Sequence, residues 1–279
     1  MHTPGIIRQL MHRRIVMLAA IVLAVITVLA LSAPWVAAAD PNDTAVLDRL
    51  KAPSLTHLMG TDELGRDLYA RVVHGARYSL TIAALTALGS TLAGAALGLV
   101  AGYFRRLDAP LMRLVDAMMS FPDILLAIAL VAILGPTLFN VVLALTLVYT
   151  PRVARVVRAS TLVVRELLFI EAVHALGVRT SRILWRHVLP NLLSPIMVQA
   201  SFIFAYAILA EAGLSFLGVG VPPEIPTWGT MVASGQQYAH QSFWVVLFPG
   251  LAIILTALSL QLLGDGVRDL LDPKLKKTL

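Results

Sequence analysis

The sequence predicts an all-α polytopic membrane protein with six transmembrane helices, and three observations predict it. Of its 279 residues, 58% are hydrophobic and only 14% charged, with a mean hydropathy of +0.82; a soluble domain of this length cannot hide so much apolar surface. Six apolar runs each approach the ~20 residues that a helix needs to cross ~30 Å of hydrocarbon. The 22 Lys and Arg residues fall unevenly between those runs. A helix satisfies its own backbone hydrogen bonds within a bilayer, so the runs read as helices and not strands.

The spans are expected at about residues 15–36, 80–103, 114–134, 138–157, 192–217 and 243–263. The first follows Arg13 and Arg14, and Ala37-Ala38-Ala39 after it resembles a leader cleavage site. A leader core runs only ~7–15 residues, whereas this run is longer and ends in Trp35, a typical interface anchor; a retained helix is the reading adopted over a leader. The second carries Ser90, Gly94, Gly98 and Gly102, each four apart. That spacing puts small residues on one face, where another helix can approach closely as a packing seam. The third contains Pro122, where a kink can open backbone carbonyls to a cavity. Two parts follow: residues 1–79, an N-terminal helix with an extracytoplasmic loop, and residues 80–279, the transmembrane core.

Charge sets the orientation. With the N-terminus in the cytoplasm, the inside segments hold 17 of the 22 basic residues, among them Arg105, Arg106 and Arg113, then Arg152, Arg155, Arg158, Arg165, Arg179, Arg182 and Arg186. The outside segments hold Arg49, Lys51, Arg66, Arg71 and Arg77, and residues 218–242 have no Lys or Arg. Basic residues gather on the cytoplasmic side, so both termini are expected there.

Residues 166–191, between the fourth and fifth spans, read ELLFIEAVHALGVRTSRILWRHVLPN. Leu168, Ala172, Ala175 and Leu176 share a helical face. Gly177 stands where that helix would end in a left-handed cap. Thr180 or Ser181 can cap a second short helix, on which Arg179, Arg182 and Arg186 form a basic stripe. Pro190 is expected to terminate this piece, so that the fifth span begins in a new direction. On pattern alone the pair is either a docking surface or an interfacial amphipathic hairpin that anchors the protein.

This stretch resembles the EAA loop of bacterial ABC importer permeases: Glu-Ala-Ala, three residues, Gly, nine residues, Ile, any residue, Leu-Pro. Glu171, Ala172, Gly177, Leu189 and Pro190 stand at the required spacing, with Val173 for the second Ala and His187 for Ile. Four further segments are similar to the C-type permease subunits of dipeptide, oligopeptide and nickel importers: HLMGTDELGRDLYARVVHGARYSL from His57, FPDILLAIAL from Phe121, EAGLSFLGVGVPPEIPTWGTM from Glu211 and LGDGVRDLLDP from Leu263. The resemblance implies a half-pore in the bacterial inner membrane. It pairs with a homologous second permease, two cytoplasmic ATPases that bind ATP and Mg, and an extracytoplasmic substrate-binding protein. It implies that Glu171, Ala172, Gly177, Arg182, Leu189 and Pro190 form the ATPase-coupling loop, and that the solute is a di- or oligopeptide, with nickel or another small solute as the alternative.

The four lysines, Lys51, Lys274, Lys276 and Lys277, never follow a glycine. The chain therefore lacks the phosphate-binding lysine of a P-loop, and energy must come from a partner. No catalytic or metal-binding residue set is expected: there is no HExxH or GxSxG, and the seven histidines form no close cluster. Basic residues without interleaved aromatics argue against nucleic acid. Charges within a bilayer are costly and often functional. Asp123 and Glu211 are the candidate translocation-pathway residues. Asp123 either faces the pathway, meeting a substrate ammonium, or lies near the cytoplasmic interface. Glu211 either lines an outer gate or makes a structural hydrogen bond. A membrane-embedded enzyme would need those two acids as its pair, and an ion-gradient carrier would need no ATPase. Thr61 is expected to cap a short helix carrying Asp62 and Glu63, which either folds the outer loop or touches the binding protein.

Overall fold

The computed structural model describes residues 14–37 and 39–271. Arg8, Arg13, Ala38, Lys274, Lys276 and Lys277 lie outside them. The elements in order are α1 (Arg14–Leu31), α2 (Ala33–Val36), a 3-10 turn (Val46–Asp48), α3 (Leu68–Tyr103), α4 (Arg105–Met119), α5 (Asp123–Leu134), α6 (Leu138–Arg165), α7 (Leu168–Ala175), α8 (Thr180–Ile183), a π-helical turn (Leu184–Val188), α9 (Leu189–Phe216), α10 (Trp228–Gly235), a second 3-10 turn (Gln236–Tyr238) and α11 (Trp244–Leu271). Among the described residues, five helices are long and apolar enough to cross a bilayer, and a sixth crossing exists only if the bent pair α4–α5 is one span.

The seam on the second span joins α3 to α6. A Cβ on Gly94 would lie 2.4 Å from Val153 Cβ, one on Gly98 2.5 Å from the Ala154 carbonyl oxygen, and one on Gly102 2.6 Å from Thr161 Cβ. Hydrogen in place of a side chain is what lets the two backbones approach this closely.

Four expectations about element limits are corrected. First, α3 begins at Leu68, because the Asp67 side chain accepts the Ala70 N–H at 2.8 Å as an N-cap. The division at 79/80 therefore falls inside one helix. The expected cap at Thr61 does not form; Gly60 and Gly65, at φ +79° and +76°, turn the chain back. Asp62 closes that turn, its Oδ1 accepting the N–H groups of Leu64 and Arg66 at 2.9 Å and its Oδ2 accepting Arg66 Nε at 2.6 Å. Nearby, the hydrogen bond from Lys51 holds the exposed Asp48 carboxyl below its ordinary value.

Second, the third span is not one kinked helix. It breaks by 90° between α4 and α5. Pro122 sits outside α5 as its N-cap, with its carbonyl accepting the Leu126 N–H; a proline at a helix start leaves no intrahelical hydrogen bond unmade. The twelve residues of α5 reach only about 18 Å. Apart from Asp123, all the charges of the pair lie on α4.

Third, α6 continues to Arg165. Arg158, expected beyond the end of the span, lies on this helix; Arg155 and Arg158 pair with α4 through Asp116 and Asp108, each at 2.7 Å, while Arg165 Nη1 donates to the Gly102 carbonyl at 2.6 Å. Fourth, Pro190 does not end a helix. The chain stays helical from Thr180 to Phe216; the π-helical turn before α9 accommodates the missing N–H, and Asn191 Nδ2 donates to the His187 carbonyl at 2.6 Å. No side-chain hydrogen bond caps α8, so neither Thr180 nor Ser181 plays the expected role.

Segments expected outside meet one another: Asn42 donates to the Glu224 carbonyl, Arg49 to the Tyr238 hydroxyl and Trp244 to the Thr61 carbonyl. Segments expected inside, α4 and the start of the 166–191 stretch, likewise meet across Arg105 and Glu166.

Candidate functional site

At the end of the bundle carrying α4, helices α7 and α8 form a bent pair held by few anchors. Ile170, Ile183 and Val188 enter the core. The face formed by Leu168, Ala172, Ala175 and Leu176 is left open, with Leu168 82% and Leu176 81% exposed. Burying a leucine is worth about 1.5–3 kcal/mol, so a face with two bare leucines is a surface for a partner or a lipid interface. Gly177 ends α7 at φ +75°. Its N–H donates to the His174 carbonyl and the Val178 N–H to the Val173 carbonyl, a left-handed cap of the kind its position predicts. Glu171 lines a cleft of about 600 Å³ with Tyr103, Arg105, Arg165 and His174. Arg182 is exposed on α8, while Leu189 and Pro190 open α9.

A second region lies where α5, α6 and α9 meet. Asp123, the first residue of α5, pairs with Arg152 of α6. Arg152 stands about 20 Å from either end of α6 at 1.5 Å per residue, and its guanidinium lies 5.6 Å from the Tyr149 ring and 5.4 Å from the Tyr206 ring. Asp123, Tyr149 and Tyr206 line a cavity of about 240 Å³. On the other side of Tyr206, Arg152, Gln199, Gln261 and Asp265 line one of about 350 Å³.

Glu211 has a different setting. It is 1% exposed, and its Oε1 accepts the hydroxyls of Ser215 at 2.8 Å and Thr227 at 2.7 Å. Thr227 caps α10. Gly229 lies so close that a Cβ there would sit 2.7 Å from Ala212 Cα. Trp228, also buried, donates from Nε1 to the Val72 carbonyl. Glu211, on α9, thus clasps the start of α10, and Trp228 ties α10 to α3. It shares no hydrogen-bond partner with Asp123, which weakens the acid-pair enzyme reading. Glu211→Leu is expected to lower the melting midpoint of the purified protein, because the Ser215 hydroxyl is left buried and unpaired, at about 1–3 kcal/mol, and Thr227 keeps only its Thr230 partners. Glu211→Gln, which keeps an acceptor, loses less. An unchanged midpoint for Glu211→Leu would remove the clasp.

Sequence reasoning missed Arg152, Tyr149 and Tyr206. Arg152 lies within the expected fourth span but reads only as one of the basic residues that set the orientation. The available signal was Tyr149 and Arg152 at helical i, i+3 spacing within a run that stays helical through Arg165.

Residues 94–277 match the family described as binding-protein-dependent transport system inner membrane component. Residues 5–53 match the N-terminal transmembrane domain of oligopeptide transport permease C. The chain is 49% identical over 96% of its length, and 91% of the relative's, to a Brucella suis permease provisionally named for peptide transport. It is 42% identical to the dipeptide transport system permease of Alkalihalophilus pseudofirmus, over 96% of this chain and 89% of that one. It is 46% identical to the di/tripeptide transport system permease of Pseudomonas aeruginosa, over 88% and 84%. Its fold is similar to a chain of the MetNI methionine ABC transporter solved in inward-facing form, with a TM-score of 0.60 at 20% identity, over 74% of this chain and 98% of that chain. With a family match over most of its length and relatives above 40% identity along nearly all of it, this chain belongs to the family of inner membrane components of binding-protein-dependent transport systems.

Proposed function

We propose that this chain is one permease subunit of an ATP-driven importer of di- and oligopeptides in the bacterial inner membrane. The reading combines relatives named for peptide transport with one structural observation: a short helix pair that leaves Leu168, Ala172, Ala175 and Leu176 bare. In this reading that face docks into a cytoplasmic ATPase, with Glu171, Gly177, Arg182, Leu189 and Pro190 shaping and flanking the contact. Two such ATPases bind and hydrolyse ATP with Mg, and their closure moves the helix pair as a rigid body. A homologous second permease completes the pore, a binding protein delivers peptide at the opposite face, and both termini lie in the cytoplasm. Asp123 belongs to the pathway; the carboxylate of Glu211 is already engaged by Ser215 and Thr227.

The four-subunit complex in lipid, with its binding protein, tests this. ATPase rate is measured with a mixture of di- and oligopeptides and, separately, with chelated nickel. Stimulation by peptides is the expected result. Stimulation by nickel alone would keep the architecture and overturn the substrate.

A further inference from the structure

A charged pair on a membrane-crossing helix has three possible surroundings: lipid, protein or a water-filled path. The side chains of Arg152 and Asp123 are 39% and 37% exposed in this chain alone. Lipid contact is costly for charge, and the helix surface without such charges is recognisable elsewhere. The open side of α1 shows Ile15, Leu18, Ile21, Val25 and Val28.

The neighbours of the pair are of the opposite kind. Tyr206 and Gln199 lie seven apart on α9, and Gln261 and Asp265 four apart on α11, so each pair shares one helical face. Tyr206 lines both cavities, while Gln199, Gln261 and Asp265 line the one shared with Arg152. Four helices thus turn polar groups toward two cavities that meet at Tyr206, a lining suited to a polar solute and not to lipid.

At this lining the pair is held by contacts that survive its opening. Arg152 is flanked by the rings of Tyr149 and Tyr206, which can retain a guanidinium through cation–π attraction after its carboxylate leaves. Asp123 sits in the first turn of α5, where the helix dipole favours a negative charge. Each charge therefore has a second source of support. Neither is supported well enough to stand alone in a poorly hydrated site, since separating the pair leaves two uncompensated charges.

We propose that Asp123 and Arg152 form a partner-exchange site for the two termini of a short zwitterionic peptide. The α-ammonium of the peptide takes Asp123 and its terminal carboxylate takes Arg152. The protein's ion pair is replaced by two protein–peptide ion pairs, so the net charge of the site is unchanged throughout. Empty, the site closes on itself; occupied, it is open. This rests on the peptide-import reading above and adds to it the recognition of free termini within the membrane.

The test uses the complete complex in proteoliposomes, with the binding protein saturated by each peptide in turn so that capture is not limiting. Initial uptake is compared for trialanine, its C-terminal amide and its N-acetyl form. Wild type is expected to favour the free peptide by about tenfold or more, the loss associated with one charged hydrogen bond. Arg152→Gln is expected to erase the preference over the amide and keep the preference over the N-acetyl form. Asp123→Asn is expected to do the reverse, and Arg152→Lys to keep most of both. A merely structural pair would lower uptake of all three peptides by the same factor, and equal ratios in wild type and both variants overturn the site. Wild-type uptake without any discrimination overturns it too, with no variant needed. Absence of wild-type uptake for every peptide would instead sink the peptide reading, and this site with it.

Discussion

Ala172→Trp is expected to lower ATP-driven uptake at least tenfold while the chain still inserts and the permease pair still assembles. Ala172 is exposed on α7, on the same face as the two bare leucines, so an indole there meets nothing within this chain's core. It does meet whatever packs on that face. Overpacking a close-fitting surface costs about 1–3 kcal/mol, and 1.4 kcal/mol is a factor of ten. Gly177→Pro is expected to give the same phenotype by another route. Its φ of +75° is closed to proline, and the N–H that donates to His174 would be lost. Gly177→Asn separates conformation from size: asparagine tolerates the left-handed region, and a Cβ at 177 meets no atom within 4 Å, so coupling should largely survive. Co-purification of the ATPase with a tagged permease, together with uptake, reads all three. Normal uptake in both Ala172→Trp and Gly177→Pro would refute docking and favour the interfacial anchor.

The general layout was legible because apolar runs and basic segments are properties of whole stretches. Local packing was legible where only one residue type could serve. Ser90, Gly94, Gly98 and Gly102 predict a seam from spacing alone, and Gly177 predicts a cap from its place after an amphipathic turn. What was not legible depended on distant partners. Arg155 and Arg158 read only as basic residues that set the orientation until Asp116 and Asp108 of α4 are found beside them. Pro190 reads as a terminator because its missing N–H normally breaks a helix; the π-helical turn at 184–188 removes that penalty. Pro122 reads as a mid-span kink, but the chain turns through 90° there and uses it as a start. Glu211, an acid in an apolar run, reads equally as a gate or a structural hydrogen bond, because one of its two hydroxyl partners is sixteen residues away. The Arg152–Asp123 pair joins two helices and was missed for the same reason.

Gly98→Leu should fail at an earlier stage than Ala172→Trp, and the contrast tests the division of labour between the two ends of the structure. A Cβ on Gly98 would lie 2.5 Å from the Ala154 carbonyl oxygen and 2.9 Å from the Arg158 nitrogen, both backbone atoms of α6 that cannot rotate away. The helices must separate, and the seam extends to Gly94 and Gly102 one turn to either side, so the displacement is shared by three contacts. Little recoverable monodisperse protein is the expected result of size exclusion in detergent, with Gly98→Ala intermediate. Leucine at Gly98 with wild-type yield would show that α3 and α6 can part without loss, and the seam would no longer be what holds the core. Loss of folded protein at 98 together with intact, uncoupled protein at 172 would show that the small residues at these two sites serve different ends. One set brings two helices of this chain together; the other keeps a surface clear for a second protein.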